Sequence, residues 1–204
     1  MESRKKELRR RMRTSIDALD GSARERESRL VCDLLLELAP VRDAINVFSY
    51  LAFGKELSVD RLNAELIDRG AFVYVPVIST AGEFPSSLGG RLVFRRLDRD
   101  FASLPVNAYG IREPGPQAPA YEPGIGGFPA VPVITPGLAF DAGGGRLGRG
   151  GGYYDEFLRL NRRFIFAVGV CYSLQKVDSA PCGEDDEKID CLVTPDGIFG
   201  EGCV

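Results

Sequence analysis

The stretch VPVITPGLAFDAGGGRLGRGGGYYD, residues 131–155, decides how the chain is read. It opens on an apolar, β-branched run, VPVIT at 131–135, suited to a buried strand. It closes on GGGRLGRGGG, in which seven of the ten residues from Gly143 to Gly152 are glycine, two are arginine and one is leucine. Such a run has almost no side chain to bury, and each glycine costs a helix about 1 kcal/mol relative to alanine. What it offers is positive φ and close approach of backbone N–H groups to a ligand. Arg146 and Arg149 inside the run point to an anion, and a polyphosphate suits the combination best. A flexible linker is the bland alternative. Against it, a strand precedes the glycines and an amphipathic segment, 153–160, follows them as a helix.

Outward from this loop, strands and helices alternate. AINVFSY (44–50), FVYVPV (72–77), FIFAVGV (164–170) and CLVT (191–194) read as strands, and RLVFRRL (91–97) as an outlying one. Helices are expected over 2–19, with Leu8, Met12, Ile16 and Leu19 on one face, and from Ser22, in a capping box with Glu25, to about Leu38. Pro40 should stop that second helix. A third is expected over 58–69, closed by Gly70. Residues 82–90 read as a turn-rich loop, and the Pro- and Gly-rich segment 105–129 as a long ordered loop over a site. The fold expected is α/β: a three-layer αβα sandwich around a mainly parallel, Rossmann-like sheet, formed by 1–204 as one domain. Ligands of such sheets bind beyond the carboxyl ends of the strands, where the glycine loop would lie.

Composition narrows the chemistry. The chain has 204 residues, a formal charge of −3, no histidine and five cysteines without CxxC spacing. Without histidine, no Ser-His or Cys-His nucleophile is possible. The cysteines argue for free thiols in a reducing cytosol rather than a disulfide framework or zinc site. No apolar run approaches the roughly 20 residues of a membrane span, and the charged start MESRKKELRRRMR lacks the apolar region of a secretory signal. A cytoplasmic protein is therefore expected, without membrane or nucleic-acid partners.

Several residues carry two readings each. The loop is not a P-loop, because GxxxxGK[ST] is absent. Asp155 is placed either to hold Mg²⁺ against phosphates or to be a first-turn helix acid. Tyr153 and Tyr154 suit stacking on a ring or plain core packing. The basic start is a solvated face, a phosphate-binding face with Lys5 and Arg9 four apart, or an RNA-binding stripe. Asp186 and Asp190, in EDDEKID (184–190), are metal ligands if that segment is helical, and an exposed acidic turn otherwise. Glu56, in FGKEL, could grip an amino-pyrimidine.

The string PGLAFDAGGGRLGRGGGYYDEFL (136–158) resembles the signature of the 5-formyltetrahydrofolate cyclo-ligase family. KKELR (5–9), YLAFGKEL (50–57), YGIREP (109–114), CYSLQ (171–175) and EDDEKID-CLVT resemble further elements of that family, in its order. The resemblance implies an ATP- and Mg²⁺-dependent ring-closing ligase acting on a reduced folate, working as a monomer. It implies ATP contacts at Lys5, Lys6, Glu7, Leu8 and Arg9, and at Arg146, Leu147, Gly148, Arg149, Gly150, Gly151, Gly152, Tyr153 and Tyr154. It implies substrate contacts at Leu51, Glu56, Arg149, Gly150, Gly151, Gly152 and Tyr153, and magnesium at Asp155 and Asp186. Lys5, Arg146 and Arg149 are the expected catalytic cations. Two departures stand out: Gly151 where many relatives have lysine, and Asp185-Asp186 where many have His-Asp. The rival readings are a non-catalytic nucleotide or phosphosugar sensor on the same fold and an RNA-binding module.

Overall fold

A computed structural model describes residues 1–79, 90–107, 110–121, 130–200 and 202. The chain begins with two 17-residue helices, α1 (Glu2–Ala18) and α2 (Gly21–Glu37). Asp20, rather than Ser22, caps α2: its carboxylate accepts from the Ser22 and Ala23 N–H groups, satisfying two otherwise orphaned donors. Pro40 does not merely end α2. It sits in the first turn of a short α3 (Ala39–Arg42), where its missing N–H costs nothing.

The remaining elements are β1 (Asn46–Phe48), α4 (Asp60–Asp68), β2 (Phe72–Ser79), β3 (Arg91–Arg96), β4 (Val131–Thr135), β5 (Ala139–Phe140), β6 (Arg146–Leu147), α5 (Tyr153–Asn161), β7 (Ile165–Val170), β8 (Cys191–Thr194) and β9 (Gly197–Phe199). Seven strands form one sheet in the order β3-β2-β1-β4-β7-β8-β9, and β5 and β6 form a separate ribbon. The inner pairs β2–β1, β1–β4, β4–β7 and β7–β8 are parallel. The edge pairs β2–β3 and β8–β9 are antiparallel. The expected mainly parallel sheet is present, with an antiparallel strand at each edge.

Period-two alternation explains the three layers. Val47, Val73, Val75, Ile134, Val168, Cys191 and Val193 join the apolar cluster that contains Leu8 and Met12 of α1, Leu35 of α2 and Leu62 of α4. Phe48, Val133, Ala167 and Leu192 join the opposite cluster with Leu158 of α5. Adjacent residues of one strand thus anchor helices on opposite faces.

The sheet order reverses at β1 and β4. From β1 the chain moves outward to β2 and β3, then returns to lay β4 on β1's other side and continues to β7, β8 and β9. Such a switch point leaves a crevice at the strand C-termini.

Other expectations fare differently. Segment 82–89 of the expected turn-rich loop lies outside the described residues, as do 108–109 and 122–129 of the long loop. The described part of that loop docks on the edge strand and α4, through the Arg95–Ala120 bridge and the Arg112–Asp60 ion pair at 2.7 Å. None of it lines the cleft described below. Cys32, Cys171 and Cys182 are free, but Cys191 is disulfide-bonded, which corrects the expectation of free thiols throughout. No helix among the described residues is long and apolar enough to cross a membrane.

Candidate active site

The glycine run is two structures rather than one. Its first half is a tight turn joining β5 to β6. The Asp141 carboxylate accepts from the N–H groups of Gly143, Gly145 and Ala180, and Gly144 donates to the Asp141 carbonyl while its own carbonyl accepts from Ile189. Gly144 has φ +84°, and a Cβ there would meet the Ile189 carbonyl oxygen at 2.6 Å. Glycine is required at this point for folding.

The second half, 148–152, runs from β6 to α5, whose N-cap Gly152 is left-handed at φ +71°. Here α1 lies across the loop. Arg9 Nε donates to the Gly148 carbonyl at 3.1 Å, and Arg13 Nη2 to the Arg149 carbonyl at 3.5 Å. One turn earlier, Lys5 is buried and ion-paired with Asp186. Lys5, Arg9 and Arg13 are spaced four apart and so form one stripe along the helix. Lys6 and Glu7 are exposed, and Glu7 is paired instead with Arg10 at 2.7 Å. Leu8 is core. The stripe was only partly legible: Lys5 and Arg9 were expected at the loop, and Arg13, the next residue at the same spacing, was not singled out.

Arg146 lies beneath the loop with its side chain 2% exposed, bonded to Asp155 at 2.6 Å and stacked near the Tyr154 ring at 5.7 Å. Arg146 Nε and Tyr154 Oη are both buried without a partner among the described residues. Both are donors. Burial pushes the Tyr154 phenol far above its ordinary range, with the Glu56 carboxylate adding to the shift, so the hydroxyl keeps its proton. Tyr153 is partly buried against the α5-side core.

Arg149 faces the other way. Its guanidinium pairs with Glu56 at 2.7 Å and covers the Phe53 ring at 4.9 Å. The other Glu56 oxygen accepts from the Phe53 N–H at 3.1 Å. Leu51 is buried in the core beside this segment. A cleft of about 270 Å³ opens here, lined among others by Arg13, Ile16, Phe53, Glu56, Pro136 and Arg149. Phe53 and Glu56 follow β1, and Pro136 follows β4, so the cleft sits at the switch point. Gln175 braces its floor by donating to the Gly137 and Leu138 carbonyls at 2.9 and 3.1 Å.

The structure separates Asp186 from Asp190 in the acidic segment, which is not helical. Asp190 is committed to Arg162 and the Ala167 N–H. Asp186 stands at the loop with Lys5 and the Gly183 N–H. Burial alone would raise its carboxyl, but the Gly183 N–H, the Lys5 ammonium and Arg146 together hold it below the ordinary range. Asp155 Oδ1 also accepts from the Glu187 N–H at 3.2 Å, tying the two acidic positions into one corner.

A doubly wound α/β sheet with a glycine loop, a cationic helix and a carboxylate gathered at its switch point defines a ligand-binding enzyme scaffold. The chain belongs to the 5-formyltetrahydrofolate cyclo-ligase family, whose pattern matches residues 1–195. It is 32% identical over 178 residues to the 5-formyltetrahydrofolate cyclo-ligase of Haemophilus influenzae, covering 84% of this chain and 86% of that protein. It is 29% identical over 215 residues to "5-formyltetrahydrofolate cyclo-ligase, mitochondrial" of Arabidopsis thaliana, covering 95% and 75%. The NMR structure of Aquifex aeolicus 5,10-methenyltetrahydrofolate synthetase superposes with a TM-score of 0.75 at 28% identity, covering 96% of this chain and 92% of that one.

Proposed function

We propose that the switch-point cleft carries out the cyclo-ligase reaction: 5-formyltetrahydrofolate and ATP are converted to 5,10-methenyltetrahydrofolate, ADP and phosphate. The observation that carries the site assignment is the stripe of Lys5, Arg9 and Arg13 laid on the second half of the glycine loop, within reach of Arg149 and Glu56.

The chemistry needs no protein nucleophile. A formamide oxygen is a poor leaving group until it is phosphorylated. The formyl oxygen attacks the γ-phosphorus and ADP departs. N10 then attacks the activated carbon and gives up its proton, and the carbon–oxygen bond breaks to release phosphate as the ring closes. Such a reaction is accelerated by positioning and charge stabilisation in a site of low water content.

The residues divide that work. Lys5, Arg9, Arg13 and the amides of 148–152 hold the phosphate chain. Arg146 orients Asp155 from below, and its unpartnered Nε, with Tyr154 Oη, suits one further acceptor oxygen at the loop. Glu56 takes the pterin's amino group after exchanging its Arg149 pair, which releases Arg149 toward the transferring phosphoryl group. Leu51, Gly150, Gly151 and Tyr153 shape the folate side.

Magnesium fits the corner formed by Asp155 and Asp186. Among the described residues, no cluster of three or more His, Cys, Asp or Glu could hold a metal alone. Mg²⁺ is characteristically held by one or two carboxylates together with phosphates and water, and each of these carboxylates keeps one oxygen without a hydrogen bond among the described residues. When bound, the ion would neutralise charge on the phosphates. We further assign 1–204 to a single domain, active as a monomer in the cytoplasm and acting on small molecules only.

The test is absorbance at the methenyl-folate band with purified protein, 5-formyltetrahydrofolate, ATP and Mg²⁺. A rise that needs both ATP and Mg²⁺ and is lost in Asp155→Ala is expected. A flat trace from folded, ATP-binding protein would replace the ligase by a nucleotide sensor.

A further inference from the structure

Arg149 and Glu56 reach the cleft from different segments, the second half of the glycine loop and the β1–α4 connection. Two N–H groups of the guanidinium, on Nε and Nη2, meet the same Glu56 oxygen at 2.8 and 2.7 Å. The guanidinium also lies over the Phe53 ring, 4.9 Å from its centroid. Arg149 thus occupies two features that a flat, amino-bearing ring would use here, a carboxylate acceptor and an aromatic face.

A guanidinium is also a chemical copy of one edge of such a ring. The amino-pyrimidine of a pterin carries an N–C–N unit with an exocyclic amino group, so it offers a carboxylate a similar row of donors. The ion pair therefore has the form of a ligand complex made within the chain.

Glu56 is its fixed partner. Its second carboxylate oxygen accepts from the Phe53 N–H at 3.1 Å, its own N–H donates to the Phe53 carbonyl at 3.2 Å, and its carbonyl accepts from Tyr172 Oη at 3.0 Å. The neighbouring Lys55 is directed to α1 instead, donating to the Asp17 carbonyl at 2.7 Å. Among the described residues Arg149 is the only cation paired with Glu56. Arg149 is the partner that can move. Its side chain is 42% exposed against 18% for Glu56, and its carbonyl stays held by Arg13 when the side chain turns.

An anion on the loop competes with Glu56 for Arg149, and a flat amino-bearing ring competes with Arg149 for Glu56. Each ligand removes the other's competitor, so the two affinities rise together and by the same factor. We propose that Arg149 is a self-ligand of the pterin seat, displaced by the phosphate chain, so that the cleft takes folate tightly only with nucleotide bound. The inference rests on the cyclo-ligase reading of this cleft and adds to it a coupling between the two substrates.

The test is calorimetric binding of 5-formyltetrahydrofolate to the parent protein, with and without the β,γ-imido analogue of ATP and Mg²⁺. For a pair this exposed, the analogue should tighten folate binding by roughly fivefold, and folate should tighten the analogue equally. In Arg149→Gln, folate alone should bind roughly fivefold tighter than to the parent. The analogue should bind that variant more weakly, and the mutual effect should vanish. Arg149→Lys keeps the charge without the flat fork and should retain part of the coupling. Unfolding temperatures serve as the control for folding. Weaker folate binding by Arg149→Gln, or a parent in which neither ligand alters the other's affinity, would overturn the self-ligand even where methenyl-folate is formed. A parent that binds the analogue but neither binds nor converts 5-formyltetrahydrofolate would overturn the cyclo-ligase reading itself.

Discussion

The two halves of the glycine run share a composition and glycines at positive φ, and differ in what surrounds the backbone. In 143–145 the backbone is consumed internally by Asp141 and Ile189, and a side chain at Gly144 would strike backbone. In 148–152 the Gly148 and Arg149 carbonyls are held by arginines of α1, and at Gly150, itself at φ +109°, a Cβ would meet the Arg9 guanidinium at 3.6 Å. Backbone cannot give way, whereas a guanidinium can. One half therefore serves the fold and the other is left available to a ligand.

The largest effect is expected at Arg146, where the halves meet. Arg146→Ala strands Asp155 beneath the loop, so stability should fall by about 3 kcal/mol and turnover by at least about a hundredfold, read by thermal unfolding and the absorbance assay. A fall in activity alone would show that Arg146 is not the support the comparison makes it. Next come the fold-side substitutions. Gly144→Ala adds strain at positive φ to a clash with backbone, and about 2–3 kcal/mol of stability should be lost, or roughly 4–10 °C of unfolding temperature. Asp141→Ala, which frees three N–H groups, should cost about as much. Full stability in either variant would break the comparison. On the ligand side, Arg9→Ala should lower kcat/KM for ATP by roughly 10- to 100-fold with little loss of stability. The smallest effect sharpens the comparison through pH. The carboxyl of Asp186 titrates below its ordinary 3.8 in the folded protein, so its bonds to the Gly183 N–H and to Lys5 contribute stability above that value, and the contribution is lost as pH falls through the folded one. Denaturant curves of the parent and Asp186→Asn proteins should differ at pH 7 and converge as the pH falls through the lowered range of the folded carboxyl.

What the sequence disclosed follows the same physics. Strands buried on both faces are continuous apolar runs, so VPVIT and CLVT were legible to the residue. The Asp20 cap was missed because Ser22 and Glu25 also satisfy the capping-box spacing, and only geometry shows which oxygen reaches the N–H groups. The β5–β6 ribbon was hidden because its strands have two residues each, too few for any periodicity. At the site, residue types and helical spacing pointed to Lys5 and Arg9. Nothing local could separate Asp186 from Asp190, whose partners Lys5 and Arg162 are 181 and 28 residues away. Nor could it show that Arg146 faces inward while Arg149, three residues on, faces the cleft. Those orientations are set by tertiary contacts.

The central claim is that α1 clamps the second half of the glycine loop to form the phosphate site at the sheet's switch point. It is tested most directly by ATP-dependent methenyl-folate formation in the parent protein and in an Arg9→Ala, Arg13→Ala double variant. The account predicts turnover in the parent, a fall of at least about a hundredfold in kcat/KM for ATP in the double variant, and nearly equal unfolding temperatures. Equal kcat/KM for ATP in the two proteins would contradict it.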